Sequence, residues 1–224
     1  MTEYDAVAFD FDGTLYSFES IKRPFMWRNW YWAKSLRACL RARQAMRSES
    51  FRTPEDMLQF QDDFLMRHLN ISAEKARERF EKLMIHRLAA ALSPKRQRPG
   101  LTDFLDRLLA QNKKLVLISD LPINEKLRTI GLWDYPWSAK VAADDIGVLK
   151  PKAAIFETAL NEAQVTAAKT IYIGDRVDTD AEGALALGMN FIQMATLSRQ
   201  KLDDFEKSSW PVFQDFYQVS SYLF

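Results

Sequence analysis

The chain has 224 residues, 47% of them hydrophobic, which is enough for one sizeable α/β core and argues against disorder. Its formal net charge of +1 gives the whole chain no preference for nucleic acid, and no nucleic-acid partner is expected. The single Cys39 excludes an internal disulfide and a cysteine-based metal site, and the two histidines, His68 and His86, are too few for a histidine-rich zinc site. Any bound metal should therefore be a hard cation held by oxygen.

The N-terminus carries acidic residues where a signal peptide would be basic, and no apolar run is long enough to span a bilayer. One cysteine also agrees with a reducing compartment. We therefore expect a soluble, cytoplasmic protein with no membrane span.

Short runs rich in Val, Ile, Leu and Phe predict buried strands. They are residues 6–9, which lead into Asp10-Phe11-Asp12-Gly13-Thr14, and residues 114–119, 139–143, 170–175 and 190–195. Helical spacing separates the later strands at residues 101–111, after Pro151 as the start of a helix, and at 181–187. Strands that alternate with helices predict a doubly wound parallel sheet of the α/β class, whose functional site lies beyond the carboxyl ends of the strands.

A long helical insert separates the first two strands. Its helical patterns cover residues 25–47, 54–68 and 73–92. Thr53 and Ser72 precede acids, as helix caps do. We therefore predict a core domain of residues 1–15 and 99–224 and an inserted α-helical cap domain of residues 16–98.

Two acids, Asp10 and Asp12, follow the first strand, and their spacing points both side chains to one side. Such a pair suits a nucleophile with a general acid/base, or a bound cation, while a turn capped by aspartates is the alternative. Asp175 and Asp180 bring further carboxylates to the same edge, where four acids would repel one another unless a divalent cation lay among them. Asp180 is therefore predicted to bind a cation, and Asp178 to cap the following helix.

Lys150 and Ser119 add groups that suit phosphate. The lysine could supply a fixed positive charge, and the serine could offer a hydroxyl at the end of its strand. Taken singly, such residues are more often a surface lysine and a turn serine.

In chain order, Asp-x-Asp-Gly-Thr, Ser, Lys-Pro and Gly-Asp-x-x-x-x-Asp together resemble the signature of the haloacid dehalogenase (HAD) superfamily of hydrolases. The helical insert stands in the position of that family's C1-type cap. The resemblance implies a phosphatase in which Asp10 attacks phosphorus and forms an aspartyl-phosphate. It also implies Mg²⁺ held by Asp10, the backbone carbonyl of Asp12 and Asp175, with Asp180 near the ion.

The same resemblance implies roles for the remaining groups. Asp12 would protonate the leaving group and then activate water, and its presence argues against a dehalogenase. Ser119 and Lys150 would hold the phosphoryl oxygens, with Thr14 fixing the nucleophile loop beside the phosphate. Asp120 stands where the family often has Asn, and we assign it no role. The substrate would be a small phosphorylated metabolite; a phosphomutase and a non-catalytic binding protein remain alternatives.

The start of the insert has an unusual composition. No acid lies between Glu19 and Glu49, whereas basic and aromatic residues alternate from Lys22 to Arg47. Three interpretations stay open: a basic helical face over packed aromatics, a patch that attracts an anionic substrate, or a surface that binds membrane or nucleic acid. The aromatic residues 210–222 are expected to pack against the sheet, with a homodimer contact as the alternative.

Overall fold

A parallel sheet forms the centre of the computed structural model, which describes residues 4–195 and 209–224. Within these residues, six strands lie in the order β3-β2-β1-β4-β5-β6. They are β1 (Ala6–Asp10), β2 (Lys114–Ser119), β3 (Trp137–Ala142), β4 (Thr170–Gly174), β5 (Asn190–Met194) and β6 (Val212–Phe213). Every residue of β1 is buried, as expected of a central parallel strand covered on both faces. The predicted doubly wound α/β fold is confirmed.

The helices form two groups along the chain. Those between β1 and β2 are α1 (Phe18–Arg28), α2 (Ala33–Met46), α3 (Pro54–Leu69), α4 (Ala73–Phe80), α5 (Arg87–Ala89) and α6 (Leu101–Ala110). The later ones are α7 (Asn124–Ile130), α8 (Ala143–Ile146), α9 (Ala153–Ala163), α10 (Glu182–Ala186) and α11 (Phe216–Leu223). Among the described residues, none of these helices has the length and apolar character needed to cross a membrane.

The hydrophobic core lies on both faces of the sheet, and β1 divides its side chains between them. Val7 and Phe9 belong to the cluster that also contains α6 and α11, whereas Ala6 and Ala8 belong to the cluster that contains α9. This alternation is the period-two geometry of a strand. The C-terminal aromatics join the first cluster in part: Phe216 is buried, but Tyr217 and Tyr222 are exposed.

The predicted helix over residues 25–47 was wrong in its limits. The chain forms α1, a 3₁₀ turn at Trp30–Trp32 and then α2, because Asn29 leaves the helical region at φ −123° and its side-chain amide donates to the carbonyl of Phe25 (2.7 Å). Pro24 lies inside α1 and has no N–H to donate. The carbonyl of Ser20, one turn earlier, instead accepts from the guanidinium of Arg96 (2.7 Å).

Other boundaries differ from the prediction by less. Pro151 does not begin a helix, because Lys152 is extended (ψ 136°) and α9 starts at Ala153. A π-helical stretch, Glu81–His86, interrupts the helix predicted over residues 73–92. Both predicted caps are confirmed: the Thr53 hydroxyl accepts the backbone N–H three residues on (3.1 Å), and Ser72 does the same (3.4 Å).

Candidate active site

The loop after β1 lies against the loop after β4 at the carboxyl edge of the sheet. Asp10 ends β1, and Gly13 has φ +106° in the turn that follows. A β-carbon at Gly13 would lie 2.3 Å from Oδ2 of Asp175, so only glycine permits this approach. The Asp-Gly turn therefore brings the carboxylates of two strands together.

Three acids converge at this edge. Asp10, Asp175 and Asp180 each offer a carboxylate oxygen, and these oxygens all lie within 4.8 Å of one another. Asp180 is oriented by the chain itself, since its Oδ2 accepts the backbone N–H groups of Asp175 (3.1 Å) and Arg176 (3.0 Å). A β-carbon at Gly174 would lie 2.5 Å from that of Asp180, which explains the glycine at the end of β4.

Lys150 is the cation of this cluster and is buried. Its Nζ donates to Oδ1 of Asp10 (2.6 Å), to Oδ1 of Asp180 (2.7 Å) and to the hydroxyl of Tyr172 (3.3 Å). Burial alone would lower the pKa of Lys150, but the carboxylates of Asp10 and Asp180 outweigh it and raise that pKa well above its usual value. The lysine is therefore a permanent positive charge between two acids.

The acid cluster fits a hard divalent cation. Burial raises the pKa of Asp10 well above its usual value; Lys150 opposes this shift, and the charges of Asp180, Asp175 and Asp12 add to it. Oδ2 of Asp10 is buried and has no hydrogen-bond partner among the described residues. Crowded carboxylates with an unused oxygen are the ligands that Mg²⁺ and Ca²⁺ prefer. A divalent charge here would relieve the repulsion between the acids.

Asp12 is held by two groups that sequence reasoning missed. Tyr16 donates its hydroxyl to Oδ1 (2.8 Å), and the ammonium group of Lys126 contacts Oδ2. Burial and the adjacent carboxylate raise the pKa of Tyr16 well above its usual value, so Tyr16 is a hydrogen-bond donor. Lys126 is fully buried and also lies 4.4 Å from the ring centroid of Phe11. No local pattern distinguishes this lysine from the exposed lysines of other helices.

The predicted phosphate-binding residues differ in their exposure. Lys150 lines the cavity described below, whereas Ser119 and Thr14 are fully buried and do not. The Ser119 hydroxyl accepts the N–H of Leu121 (3.1 Å) and lies 3.5 Å from Oδ2 of Asp12, so it belongs to the support of that carboxylate. Ser119 and Thr14 therefore lie near the site, but neither side chain is exposed to the cavity.

Asp120 connects three parts of the molecule. Its Oδ1 accepts the backbone N–H of Lys150 (3.0 Å), and its Oδ2 pairs with Nη2 of Arg47 at the end of α2 (2.6 Å). Asp178, predicted to cap a helix, instead lies in a π-helical turn (Val177–Ala181) and pairs with Arg176. That cap prediction was wrong, because the backbone N–H groups of Asp180 and Ala181 donate to the carbonyl of Arg176 (2.9 and 3.2 Å).

A cavity of about 430 Å³ lies over the acids. Asp10, Asp12, Asp175, Asp180 and Lys150 line one side of it. The opposite side comes mainly from α1, α2 and the segment after α4, and its apolar members include Phe25, Met26, Leu36, Leu40, Met84 and Leu88. The predicted site residues at the bottom therefore face a largely apolar roof made by the helical insert.

Arg98 anchors the loop after β1, and sequence reasoning did not single it out. Its guanidinium donates to the carbonyls of Gly13 (2.7 Å), Gln214 (2.7 Å) and Ala195 (3.1 Å). Burial lowers the pKa of Arg98 to about 10, although nearby acids oppose the shift. The arginine lies between Pro94 and Pro99, where the sequence signalled only the return to the core.

The model of the haloacid dehalogenase-like hydrolases matches residues 4–188. Because this match covers most of the chain, the chain belongs to the haloacid dehalogenase-like hydrolases. The chain is also similar to a glyceraldehyde 3-phosphate phosphatase of Methanocaldococcus jannaschii, with 31% identity over 110 residues. That match spans about half the length of the curated relative, 48% of each protein.

Two solved structures illustrate the shared fold. A HAD phosphatase from Thermococcus onnurineus has a TM-score of 0.62 at 20% identity, covering 98% of this chain and 97% of that one. A 2-haloacid dehalogenase from Pseudomonas syringae has a TM-score of 0.67 at 21% identity, covering 98% of both chains. At these identities the likeness shows the fold alone, and the two neighbours carry names of different reactions.

Proposed function

We propose that the chain is a magnesium-dependent phosphate monoester hydrolase that acts on a small phosphorylated metabolite through an aspartyl-phosphate at Asp10. The observation that carries this proposal is the second carboxylate, Asp12, which lines the same cavity and is held by Tyr16 and Lys126. An alkoxide leaving group needs a proton donor, whereas a halide does not. The relative that matches half of the chain is named a phosphatase, which also favours phosphate ester hydrolysis.

In this proposal Lys150 holds Oδ1 of Asp10, so the carboxylate is oriented before the phosphate arrives. The carboxylate of Asp10 attacks phosphorus and the ester bond breaks, while Asp12 gives its proton to the departing oxygen. Asp12 then takes a proton from the water that hydrolyses the aspartyl-phosphate. Mg²⁺, held by the carboxylates of Asp10, Asp175 and Asp180 and by the carbonyl of Asp12, would supply the positive charge that offsets repulsion between carboxylate and phosphate. Ser119, with Thr14 in the nucleophile loop, would support the phosphoryl site.

The first test is release of inorganic phosphate from p-nitrophenyl phosphate. We expect release with Mg²⁺, none with EDTA, and a loss of about a thousandfold or more in Asp10→Asn. Asp178→Asn is the matched control, because it removes an exposed acid that pairs with Arg176 outside the cluster. Phosphate release that survives in Asp10→Asn, or that ignores Mg²⁺, would overturn the proposal.

The second test distinguishes hydrolysis from transfer to another hydroxyl. A panel of phosphorylated metabolites that includes glyceraldehyde 3-phosphate is incubated with the protein, and both free phosphate and isomeric phosphoesters are measured. A hydrolase releases phosphate in proportion to the substrate consumed. Consumption with an isomeric product and no phosphate would identify a phosphomutase instead.

A further inference from the structure

One face of the helical insert combines positive charge with exposed apolar side chains. We call the exposed surface of α1, the Trp30–Trp32 turn and α2 the cap face. Its cations are Lys22, Arg23, Arg28, Lys34, Arg37 and Arg41, all of them exposed. The one acid of these elements is Glu19 in the first turn of α1, which pairs with Lys22 (3.1 Å), and the sequence has no further acid before Glu49. These elements thus carry a local excess of positive charge in a chain whose net charge is only +1.

Large apolar side chains lie among these cations. Trp27 and Trp30 are 82% and 73% exposed, and Tyr31, Leu40 and Met26 are exposed as well. The neighbouring Trp32 shows the contrast, because it is only partly exposed and the guanidinium of Arg79 lies 4.3 Å from its ring centroid. Exposed apolar groups of this size, grouped together, mark an interaction surface. The sequence suggested that the aromatic residues pack beneath a basic helix. That interpretation does not account for side chains as exposed as Trp27 and Trp30.

We propose that the cap face docks on a bilayer surface that carries anionic lipids. Such a surface satisfies both features at once: lipid headgroups attract the cations, and the boundary with the acyl chains takes up the indole rings and the aliphatic side chains. Tryptophan is well suited to this depth, because its ring is apolar and its N–H is polar. A second copy of the chain is a poor occupant, since two basic faces would repel each other.

Nucleic acid fits the cap face less well. Phosphates could pair with the arginines and bases could stack on the indoles, but neither group would remove Met26 and Leu40 from water. These two aliphatic side chains also line the cavity, as Lys22 does. A docked bilayer would therefore lie beside the opening of the cavity and its apolar roof. This inference concerns binding and stands whether or not the proposed hydrolysis is correct.

The test is flotation of the full chain with vesicles of phosphatidylcholine that contain phosphatidylglycerol, against vesicles of phosphatidylcholine alone. The variants are Trp27→Ser with Trp30→Ser, and Arg37→Gln with Arg41→Gln, none of which lines the cavity. Matched controls remove similar groups elsewhere: Tyr222→Ser for an exposed aromatic, and Lys75→Gln with Lys169→Gln for two exposed charges. Thermal unfolding of each variant verifies that it is folded.

We expect the unaltered chain to float with the anionic vesicles only. The tryptophan pair should weaken that binding about tenfold or more, and the arginine pair roughly fivefold for each charge removed. The controls should bind as the unaltered chain does. Absence of binding to anionic vesicles, or equal binding by all variants, would overturn the proposal. Binding to an oligonucleotide that depends on Trp27 and Trp30, without flotation, would assign the cap face to nucleic acid instead.

Discussion

Two buried lysines form ion pairs with acids of the site. Lys150 contacts Asp10 and Asp180, while Lys126 contacts Asp12. The proposed nucleophile and the proposed proton donor thus each have a cation of their own. A buried charge that loses its partner is destabilising, so these pairs fix side-chain positions more firmly than exposed pairs do.

Replacing Lys126 by Met should affect the proton-transfer step more than the attack on phosphorus. Asp12 would keep the Tyr16 hydrogen bond and the longer contact with Ser119 (3.5 Å) but lose its ion pair, so its carboxylate would be less well positioned toward the leaving oxygen. We expect kcat to fall by about a hundredfold with an alkyl phosphate, and much less with p-nitrophenyl phosphate, whose leaving group needs little protonation. Steady-state kinetics with both substrates measure this, with Lys169→Met as the exposed control. Equal losses for the two substrates would contradict a positioning role.

Gly174 and Gly188 offer a comparison between crowding and backbone strain. Alanine at Gly174 would place a methyl group 2.5 Å from the β-carbon of Asp180, whereas Gly188 has φ +81° and open space around it. Gly174→Ala should therefore lower stability by about 1–3 kcal/mol and also reduce activity strongly, because Asp180 must move. Gly188→Ala should lower stability by only about 1 kcal/mol and leave activity intact. Urea unfolding and phosphate release report the two effects separately.

Cys39 should resist alkylation in the folded protein. It is fully buried, and burial raises its pKa from 9.0 to about 12, so little reactive thiolate exists at pH 8. The unfolded chain loses this proton at lower pH than the folded chain does, so the thiol also favours unfolding as the pH rises above 9.0. Labelling with iodoacetamide in buffer and in urea, followed by mass spectrometry, tests this. Rapid labelling of the native chain would show that α2 opens locally.

The positions of Asp10, Asp12 and Asp175 were predictable because each stands at or just after the end of a strand, and a strand end can be read from the residues beside it. Lys126 and Arg98 were not predictable, since their partners are distant in sequence. Lys126 meets Asp12 across 114 positions, and Arg98 meets Gly13 across 85. Nothing near either residue signals that its charge is buried.

The helix α2 is joined to the sheet domain by two ion pairs. Arg43 pairs with Asp144 (2.6 Å) with side chains only 7% and 15% exposed, and Arg47 pairs with Asp120 (2.6 Å). Arg43 also lies 4.8 Å from the ring centroid of Phe80. The helix therefore carries contacts to the core on one side and the cap face on the other.

Breaking one of these pairs should cost far more than breaking an exposed pair in the neighbouring helix. We expect Asp144→Asn to lower the free energy of unfolding by about 2–4 kcal/mol, because Arg43 keeps its charge and loses its buried partner. The matched change is Glu19→Gln, whose partner Lys22 is 53% exposed, and its effect should stay within about 0.5 kcal/mol. Urea unfolding of both variants checks this, and similar values for the two would mean that α2 is held by packing alone.

At the level of elements, the strands of the core followed from hydrophobic periodicity, whereas the limits of the helices inside the insert did not. The proline in α1 argues locally against a helix, because it cannot donate a hydrogen bond to the carbonyl of Ser20. Arg96 donates to that carbonyl instead, from 76 positions further along the chain. The short strand β6 was also missed, because two residues are too few to show a pattern. Helix caps and strands leave signals in neighbouring residues, whereas a hydrogen bond from a distant residue leaves none.

Across the whole molecule, Arg98 joins segments from both ends of the chain. It holds the loop after β1, the residue after β5 and the residue after β6. We expect Arg98→Met to destabilise the protein by about 2–4 kcal/mol, since buried carbonyls would lose their donor. Arg107→Met, which removes an exposed guanidinium bonded to Ser220, is the control. Thermal unfolding with phosphate release measures both, and a stable but inactive variant would limit Arg98 to shaping the loop.

The position of β1 in the sheet has a consequence for synthesis on the ribosome. Ala6 pairs with Lys114 on one side and Thr170 on the other, and both of these residues are translated well after it. The nascent strand therefore emerges with the proposed nucleophile and no neighbour, and it must wait until the whole helical insert has been made. Such a delay slows folding and leaves an apolar segment open to chaperones. Asp175 and Asp180 are translated later still, so a chain interrupted before them lacks two of the proposed metal ligands.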